Sequence, residues 1–363
     1  MECEYLFDHV PASMNNSIGF IDILRSSASL KIKFFKGIDY LLGSALAAIL
    51  PSAPQTGVNF KTIKEVLIIR PGGMGDAVVL LPVINQFKKQ YPDIQIDILC
   101  ERRNWEVFSS QAQWKKNAYC YDRIPEISKV LNKRYDVVID TEQWHYLSVI
   151  LGFFLKRQAL IGFATRVGRR RLLDVGCDYD TKAYEMDNFL RLFEPWQLQR
   201  KEIHLDGSWT VDEASRTWAK QKISGRYAVL SSLASIAERR LNEQQIDLIT
   251  KELQSQDLQV FLLEGQFNLA QVAAIIQNAQ AFIGVDSGLL HVAAAVGVPV
   301  TGIFGPGQVF KWAPQGTKHH SIHHQLPCSP CTRFGYTIPT CQGKIPCMRD
   351  LNLNIEEIYR RRQ

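Results

Sequence analysis

The sequence has little cysteine, no strong excess of charge of either sign and no apolar run long enough to cross a membrane. Its eight cysteines among 363 residues are too few for a disulfide-stapled scaffold. A formal net charge of +6 is too mild to indicate nucleic-acid binding without a motif. With 46% apolar and 21% charged residues, a disordered or collagen-like chain is excluded, and the length predicts a globular protein of two domains.

Targeting signals are also missing. The first five residues, MECEY, are acidic and lack the basic and apolar regions of a secretory signal. The most apolar segment, Tyr40–Leu50, ends at Pro51 and is far shorter than the roughly 20 residues that span a bilayer. We therefore expect no transmembrane helix and a cytoplasmic protein with reduced thiols.

The segment 18–50 has two interpretations. Its apolar residues at positions 38, 41, 42, 45, 46 and 49 follow helical spacing, and a basic cluster precedes them: Arg25, Lys31, Lys33 and Lys36. Such a helix either lies on an anionic membrane surface, here the inner face of the cytoplasmic membrane, or packs on the protein itself. In both cases residues 1–60 form an N-terminal helical extension that ends in a linker over 51–59.

A glycine-rich turn follows the first predicted strand. The strand Glu65–Arg70 is short, apolar and β-rich, and Ala77–Gln90 is an amphipathic helix. Three glycines lie between them: Gly72, Gly73 and Gly75. Glycines at a helix start let a ligand approach free backbone N–H groups, but the spacing fits neither a dinucleotide fingerprint nor a Walker A loop.

Asp76 is the informative residue of this turn. A carboxylate in the first helical turn is favoured electrostatically, so Asp76 has a plain structural role as a helix cap. It also lies where open α/β folds bind their ligands, at the carboxyl edge of a parallel sheet, so it is a candidate general base.

Basic residues follow two later strands of the same half: Arg102, Arg103, Arg166 and Arg169. The second pair belongs to a run of four arginines within 166–171. Arginine matches phosphate oxygens in geometry and charge, so these residues are candidates for binding a phosphorylated or acidic acceptor. The alternative interpretation is a solvated loop.

A second helix start carries polar residues in the other half. The strand Ala281–Val285 leads into Asp286, Ser287 and Gly288, and His291 lies one turn into the following helix. Ser287 and Gly288 can offer backbone N–H groups to a pyrophosphate. A buried structural histidine is the alternative role for His291. Two such halves indicate a ligand held between two domains.

These motifs resemble glycosyltransferase family 9, the lipopolysaccharide heptosyltransferases. VLIIRPGGMGDAVVLLP at 66–82 is similar to the family's first strand, turn and helix, and FIGVDSGLLHVAAAVGVPVTGIFGP at 282–306 is similar to its D-[ST]-G-x-x-H segment. LPCSPC at 326–331 is similar to a tail element of the family. The three matches occur in the family's order.

The resemblance implies an α/β GT-B fold, in which two Rossmann-like domains face a central cleft. It implies an acceptor domain over 61–205, a nucleotide-sugar donor domain over 206–350 and a C-terminal helix over 351–363. Asp76 matches the family's general base, while Asp286, Ser287, Gly288 and His291 match its donor-binding segment. Arg239 occupies the position where the family often has a phosphate-contacting lysine.

The implied activity is inverting, metal-independent transfer of a sugar such as heptose from a nucleotide-diphosphate donor to a lipopolysaccharide-type or other surface glycan. No cofactor is expected; the donor, with ADP-heptose as a candidate, is a substrate. The expected partners are this donor, a glycan or glycolipid acceptor and a membrane surface through residues 18–50, with no nucleic acid.

The sequence departs from the family between Gln259–Leu263 and Leu269, where one strand–helix unit of the donor half is missing. This loss supports a second hypothesis from another class, a catalytically impaired GT-B module that binds a nucleotide or glycan. Thermal-shift binding of nucleotide-sugars without turnover distinguishes the two hypotheses.

Four cysteines near the end of the chain have the spacing C-x₂-C-x₉-C-x₅-C: Cys328, Cys331, Cys341 and Cys347. Four thiols with one C-x-x-C pair are a candidate structural zinc site. The second pair lacks the usual close spacing, which favours reduced or redox-labile thiols and no metal.

Overall fold

A computed structural model describes residues 19–26, 28–54, 58–114, 116–341, 344–351 and 353. Of the C-terminal helix expected over residues 351–363, all but residues 351 and 353 lie outside this part of the chain, as do the first 18 residues.

The N-terminal extension consists of short helices that lie on the first sheet domain: α1 (Phe20–Arg25), α2 (Leu30–Ile38), a π-helical turn (Asp39–Gly43) and α3 (Ser44–Ile49). In the π-helical turn and α3 the buried residues are Asp39, Gly43 and Ala47, so small and polar residues make this contact with the first domain. A Cβ atom at Gly43 would lie 2.5 Å from Cβ of Tyr146. The predicted apolar stripe faces away, and Leu42 is 61% exposed.

No helix in the part of the chain that the structure describes is long and apolar enough to cross a membrane.

The first sheet has six parallel strands in the order β3-β2-β1-β4-β5-β6. Its strands are β1 (Glu65–Arg70), β2 (Gln95–Cys100), β3 (Ala118–Cys120), β4 (Val137–Asp140), β5 (Ala159–Phe163) and β6 (Val175–Cys177). Its helices are α4 (Met74–Gln90), α5 (Trp105–Ser109), α6 (Ile124–Asn132), α7 (Leu147–Phe154), α8 (Val167–Leu172) and α9 (Glu185–Arg191). Strand β1 is buried from its second residue onward, as a central parallel strand covered on both faces must be.

The second sheet has five parallel strands in the order β11-β10-β9-β7-β8. Its strands are β7 (Tyr227–Ser231), β8 (Gln259–Leu262), β9 (Ala281–Val285), β10 (Val300–Phe304) and β11 (His320–His323). Its helices are α10 (Glu213–Lys222), α11 (Glu243–Ser255), α12 (Leu269–Gln277), α13 (Gly288–Ala295) and α14 (Val309–Trp312). Asn242 and Asn268 cap α11 and α12 through their side chains, which explains where these helices begin.

The two strand orders show which strand the described second sheet lacks relative to the first. In the first sheet β2 is followed in space by β3, whereas β8, which holds the corresponding place beside β7, is the edge strand of the described second sheet. The chain passes from β8 through α12 directly to β9. Strand β8 is accordingly only partly buried, while its counterpart β2 is buried over five residues.

A short hairpin after the second sheet returns toward the first domain. Strands β12 (Thr332–Arg333) and β13 (Tyr336–Thr337) pair antiparallel, and the short helix α15 (Pro346–Arg349) follows. Phe334, at the tip of the hairpin, stacks on Trp144 of the first domain with ring centroids 4.6 Å apart.

Candidate active site

Two helix N-termini meet at the cleft between the sheets. Helix α4 follows β1 and helix α13 follows β9, so both begin at the carboxyl edge of a parallel sheet, the edge at which such folds bind ligands. The contact requires glycine: a Cβ atom at Gly75 would lie 2.9 Å from Cδ2 of His291, and one at Gly288 would lie 3.1 Å from the backbone nitrogen of Gly75. The sequence-predicted residues of the two halves are therefore neighbours in space.

Asp76 lies in the first turn of α4, and its carboxylate is only partly buried, with a quarter of the side chain exposed. Oδ1 lies 3.8 Å from Nη2 of Arg70, a buried residue at the end of β1. Burial raises the pKa of Asp76, Arg70 opposes the rise, and Glu185 and Glu142 add to it. A carboxylate with a raised pKa is better matched to proton abstraction than an ordinary surface aspartate.

Glu142 is a second carboxylate on the same side of the cleft, and we did not predict it as a site residue. Its Oε2 lies 3.9 Å from Nη2 of Arg70, and its Oε1 accepts hydrogen bonds from the backbone N–H groups of residues 143–145. Burial alone would raise the pKa of Glu142, but His145, Arg70 and the Trp144 backbone N–H lower it to about 2. With this pKa Glu142 is ionised at every physiological pH and is a weak base.

Arg239 and Asp286 form an ion pair on the opposite side of the cleft. Nη1 of Arg239 lies 3.0 Å from Oδ2 of Asp286 and donates a hydrogen bond to its backbone oxygen at 3.3 Å. Burial raises the pKa of Asp286, and Arg239 lowers it. Nε of Arg239 is buried without a hydrogen-bond partner in the part of the chain that the structure describes, so this guanidinium keeps a free donor beside the start of α13.

Two more polar groups at the start of α13 have unused hydrogen-bonding capacity. Oγ of Ser287 and Nδ1 of His291 are both buried and have no hydrogen-bond partner among the described residues. Burial, together with the charge of Arg239, lowers the pKa of His291 to about 4, so its ring is neutral at pH 7. Buried groups of this kind normally have partners, and their clustering at a helix N-terminus indicates a site for an anionic ligand.

A cross-domain ion pair lies beside this site, and sequence reasoning missed it. Nζ of Lys311, on α14, lies 2.9 Å from Oε2 of Glu185 on α9, and both side chains are nearly inaccessible to water. The hydroxyl of Tyr179 donates a hydrogen bond to the same carboxylate oxygen at 2.8 Å. Only the pairing of the two domains reveals this cluster, because the residues are far apart in the chain and belong to no motif.

The predicted acceptor arginines do not form one patch. The run 166–171 is not a solvated loop, because residues 167–172 form α8. Arg169 is fully buried, with Nη2 2.8 Å from Oδ2 of Asp140 and its other donors used by backbone oxygens. It cannot reach an acceptor, so we leave it out of the proposed site.

The other three arginines differ from one another in their surroundings. Arg166 lies against aromatic rings, with Cζ 4.5 Å from the ring centroids of both Tyr40 and Tyr146. Arg103 pairs with Glu101, and Arg102 is exposed. Arg102 and Arg103 follow β2 and therefore remain at the carboxyl edge of the first sheet.

The four cysteines of the tail influence one another electrostatically. Burial and the neighbouring thiols raise the pKa of Cys331 to about 12 and that of Cys347 to about 11. Within the described ranges, no three His, Cys, Asp or Glu side chains form a group that could hold a metal ion. Cys331 and Cys347 are therefore protonated at pH 7.

Known proteins similar to this chain include lipopolysaccharide heptosyltransferases. The chain is 24% identical over 288 residues to lipopolysaccharide heptosyltransferase 3 of Escherichia coli K12, a match that covers 66% of this chain and 82% of that protein. The model of glycosyltransferase family 9 (heptosyltransferase) matches residues 237–339, which include Arg239, Asp286 and His291. The chain is thus similar to members of glycosyltransferase family 9. It is a glycosyltransferase, and the binding-module hypothesis is not favoured.

Solved structures confirm the α/β GT-B fold of the chain. The structure of E. coli ADP-heptose lps heptosyltransferase II has a TM-score of 0.59 at 20% identity, over 72% of this chain and 91% of that chain. E. coli heptosyltransferase WaaC with ADP-2-deoxy-2-fluoro heptose has a TM-score of 0.55 at 18% identity, over 72% of this chain and 93% of that chain.

Proposed function

We propose that this glycosyltransferase transfers a heptose from ADP-heptose to a lipopolysaccharide-type acceptor with inversion at the anomeric carbon. The observation that carries the proposal is the meeting of α4 and α13: Gly75, the neighbour of Asp76, lies against His291 and Gly288, and Arg239 pairs with Asp286 beside the same helix start. Similar proteins support the substrate class: one is a lipopolysaccharide heptosyltransferase, and another was solved with ADP-2-deoxy-2-fluoro heptose.

In the proposed reaction Asp76 accepts the proton of an acceptor hydroxyl while that oxygen attacks the anomeric carbon of the sugar. The bond from this carbon to the diphosphate breaks, and ADP leaves with the electron pair. The start of α13, with the free donors of Arg239 and Ser287, stabilises the charge that develops on the diphosphate. Neutral His291 is suited to donate or accept one hydrogen bond at the same ligand.

The positions of these groups suggest which domain binds the acceptor and which binds the donor. We propose that residues 61–205 bind the acceptor, since they supply Asp76, Arg102 and Arg103, and that residues 206–350 bind the donor. The described second sheet has no counterpart of β3, so no strand lies beyond β8 at that edge. The helix start of α13 is unaffected, so we expect the diphosphate site to be retained.

The donor is tested by incubating the purified protein and a deacylated lipopolysaccharide core acceptor with ADP-heptose or with GDP-, UDP- and CDP-sugars. We expect a product heavier by one heptose with ADP-heptose only, with the anomeric configuration inverted in its NMR spectrum. EDTA should leave the rate unchanged, as metal-independent transfer requires. Transfer from another nucleotide, retention of configuration, or loss of activity that a divalent cation restores would contradict the corresponding part of the proposal.

We further propose that the N-terminal extension binds the surface of an anionic membrane. Its described helices expose many large apolar side chains: Ile21, Leu24, Leu30, Ile32, Phe34, Phe35, Leu41, Leu42, Leu46 and Ile49. Such a density of exposed apolar residues is unusual for a surface that faces only water. Arg25 and Arg170 are exposed cations nearby in the extension and on α8, and they complement anionic lipid headgroups.

Two charged substitutions test this surface. We expect Phe34→Glu combined with Leu42→Glu to weaken binding to phosphatidylglycerol-containing vesicles at least about tenfold, because each removes a large apolar side chain from the interface and adds repulsion. Co-sedimentation with vesicles measures the effect. Leu248→Glu is the matched control, since Leu248 on α11 is 49% exposed but lies on the other domain. Equal binding of the double variant and the wild type would exclude the proposed surface.

A further inference from the structure

The N-terminal extension contributes a lysine to the cleft. Asp39 anchors this part of the chain: its carboxylate accepts hydrogen bonds from the backbone N–H groups of Tyr146 and Leu147 at the start of α7, and lies 3.0 Å from Nδ1 of His145. Because Asp39 is buried, the position of α2, which ends one residue earlier, is defined relative to the first domain. Lys36 occupies the last turn of α2.

The second domain supplies the surface on which Lys36 lies. Tyr336, on the hairpin, is 1% exposed and packs in one cluster with Ile23 of the extension and Trp144 of the first domain. Its hydroxyl lies 3.3 Å from Nε2 of His145. Nζ of Lys36 lies 3.8 Å from the centroid of the Tyr336 ring, so all three parts of the molecule meet at this lysine.

Lys36 lies close enough to the proposed base, Asp76, and to Glu142 to interact with both electrostatically. Its ammonium interacts electrostatically with Glu142, Glu101, Asp76 and Arg103. Within the described part of the chain it forms no ion pair or hydrogen bond, and the Tyr336 ring is its close partner. Burial lowers the pKa of Lys36 to about 8, although the three carboxylates raise it. A partly buried ammonium whose close partner is an aromatic ring retains its hydrogen-bond donors for an anionic ligand.

We propose that Lys36 binds an anionic group of the acceptor, a carboxylate or a phosphate, and thereby positions the acceptor hydroxyl at Asp76. This inference rests on the proposed function of the cleft. It gives the extension a role in substrate binding that is separate from membrane contact. The lysine is a positioning residue, because the proton is transferred to Asp76.

The test compares Lys36→Gln and Lys36→Arg with the matched control Lys33→Gln. Lys33 lies on the same helix, but its Nζ donates a hydrogen bond to the backbone oxygen of Leu24 at 2.8 Å. The probe is a deacylated lipopolysaccharide core oligosaccharide that carries both carboxylate and phosphate groups. We expect Lys36→Gln to raise the KM for this acceptor, and its Kd measured without donor, by about tenfold or more. The KM for the donor should stay unchanged, and Lys36→Arg and Lys33→Gln should remain close to wild type.

A pH profile separates this role from a structural one. In the wild type the KM for the acceptor should rise as the pH passes above about 8, where Lys36 of the free enzyme loses its charge. In Lys36→Arg, whose side chain stays protonated, the KM for the acceptor should not change over this pH range. In Lys36→Gln this KM should also be independent of pH, but higher than that of the wild type. Two modified acceptors, one without the phosphate and one with the carboxylate reduced to an alcohol, show which anion Lys36 binds. Only the acceptor that lacks this anion should give the same KM with wild type and Lys36→Gln.

Two results would overturn the inference. One is an unchanged KM and Kd for the acceptor in Lys36→Gln, and the other is an equal loss of donor and acceptor binding with a lowered melting temperature in both Lys36 variants. A wild-type enzyme that binds the acceptor but transfers no sugar would instead contradict the proposed function. The direct Kd measurement still tests Lys36 in that case.

Discussion

Asp76→Asn should lower kcat for sugar transfer by about 10²- to 10⁴-fold, the range expected when a general base is lost. The substitution keeps the size of the side chain and removes its capacity to take a proton at neutral pH. Binding of ADP-heptose should change little, because Asp76 lies on α4 and the donor groups lie at the start of α13. Single-turnover transfer and a separate titration of donor binding measure the two effects.

The pH dependence gives the same assignment an independent test. Burial and the neighbouring carboxylates raise the pKa of Asp76. As the pH falls, Asp76 therefore becomes protonated, and can no longer accept a proton, at a higher pH than an ordinary aspartate. We expect kcat/KM of the wild type to decline there on the acid side. In Asp76→Asn the residual rate should show no such decline.

Asp212→Asn controls for the alternative structural role. Asp212 caps α10 by accepting a hydrogen bond from the backbone N–H of Ser215 at 2.9 Å. It belongs to a different helix from Asp76, which lies on α4. If Asp76 only favours its helix electrostatically, the two substitutions should have similar small effects on the melting temperature and none on chemistry. An unchanged single-turnover rate in Asp76→Asn would rule out the proposed base.

Arg239→Met should be the second most damaging substitution, with kcat/KM lowered by about 10²- to 10³-fold, the effect of removing one well-placed donor from developing negative charge. The loss should appear both in donor binding and in kcat, because the diphosphate gains charge as it leaves. Arg239→Lys retains the positive charge as a single point donor and should keep most of the activity. Donor titration and steady-state kinetics give the separate effects.

Loss of Arg239 also leaves Asp286 without its ion-pair partner, so stability needs its own control. Burial raises the pKa of Asp286 and Arg239 opposes it, hence Arg239→Met should raise that pKa further and let the carboxyl group become neutral. Arg240→Gln is the matched control, since Arg240 is exposed and its Nε bonds the backbone oxygen of Ala234 at 3.2 Å. Equal activity of Arg239→Met and Arg240→Gln would contradict a diphosphate-binding role.

Local sequence patterns predicted most of the fold. Strands such as Glu65–Arg70 and Ala281–Val285 were bounded correctly because buried parallel strands are short, apolar and ended by turn residues. The missing unit of the second half was also visible in the spacing between Gln259–Leu263 and Leu269, and the sheet order places the loss at the edge beside β8. Local patterning does not show which face of an apolar segment is buried, so the exposed stripe of the extension needed the structure.

The two strand–turn–helix units that carry Asp76 and the Asp286–His291 segment can be located from the amino-acid sequence, because glycine at a helix start and a carboxylate beside it are local requirements. The residues that pack around these units from distant parts of the chain are known only from the tertiary structure. It buried Arg169 against Asp140, joined Lys311 to Glu185 across the domains and brought Lys36 of the extension over Tyr336. These pairs join residues from 29 to 300 positions apart, and their energies depend on burial and distance, which no local pattern encodes.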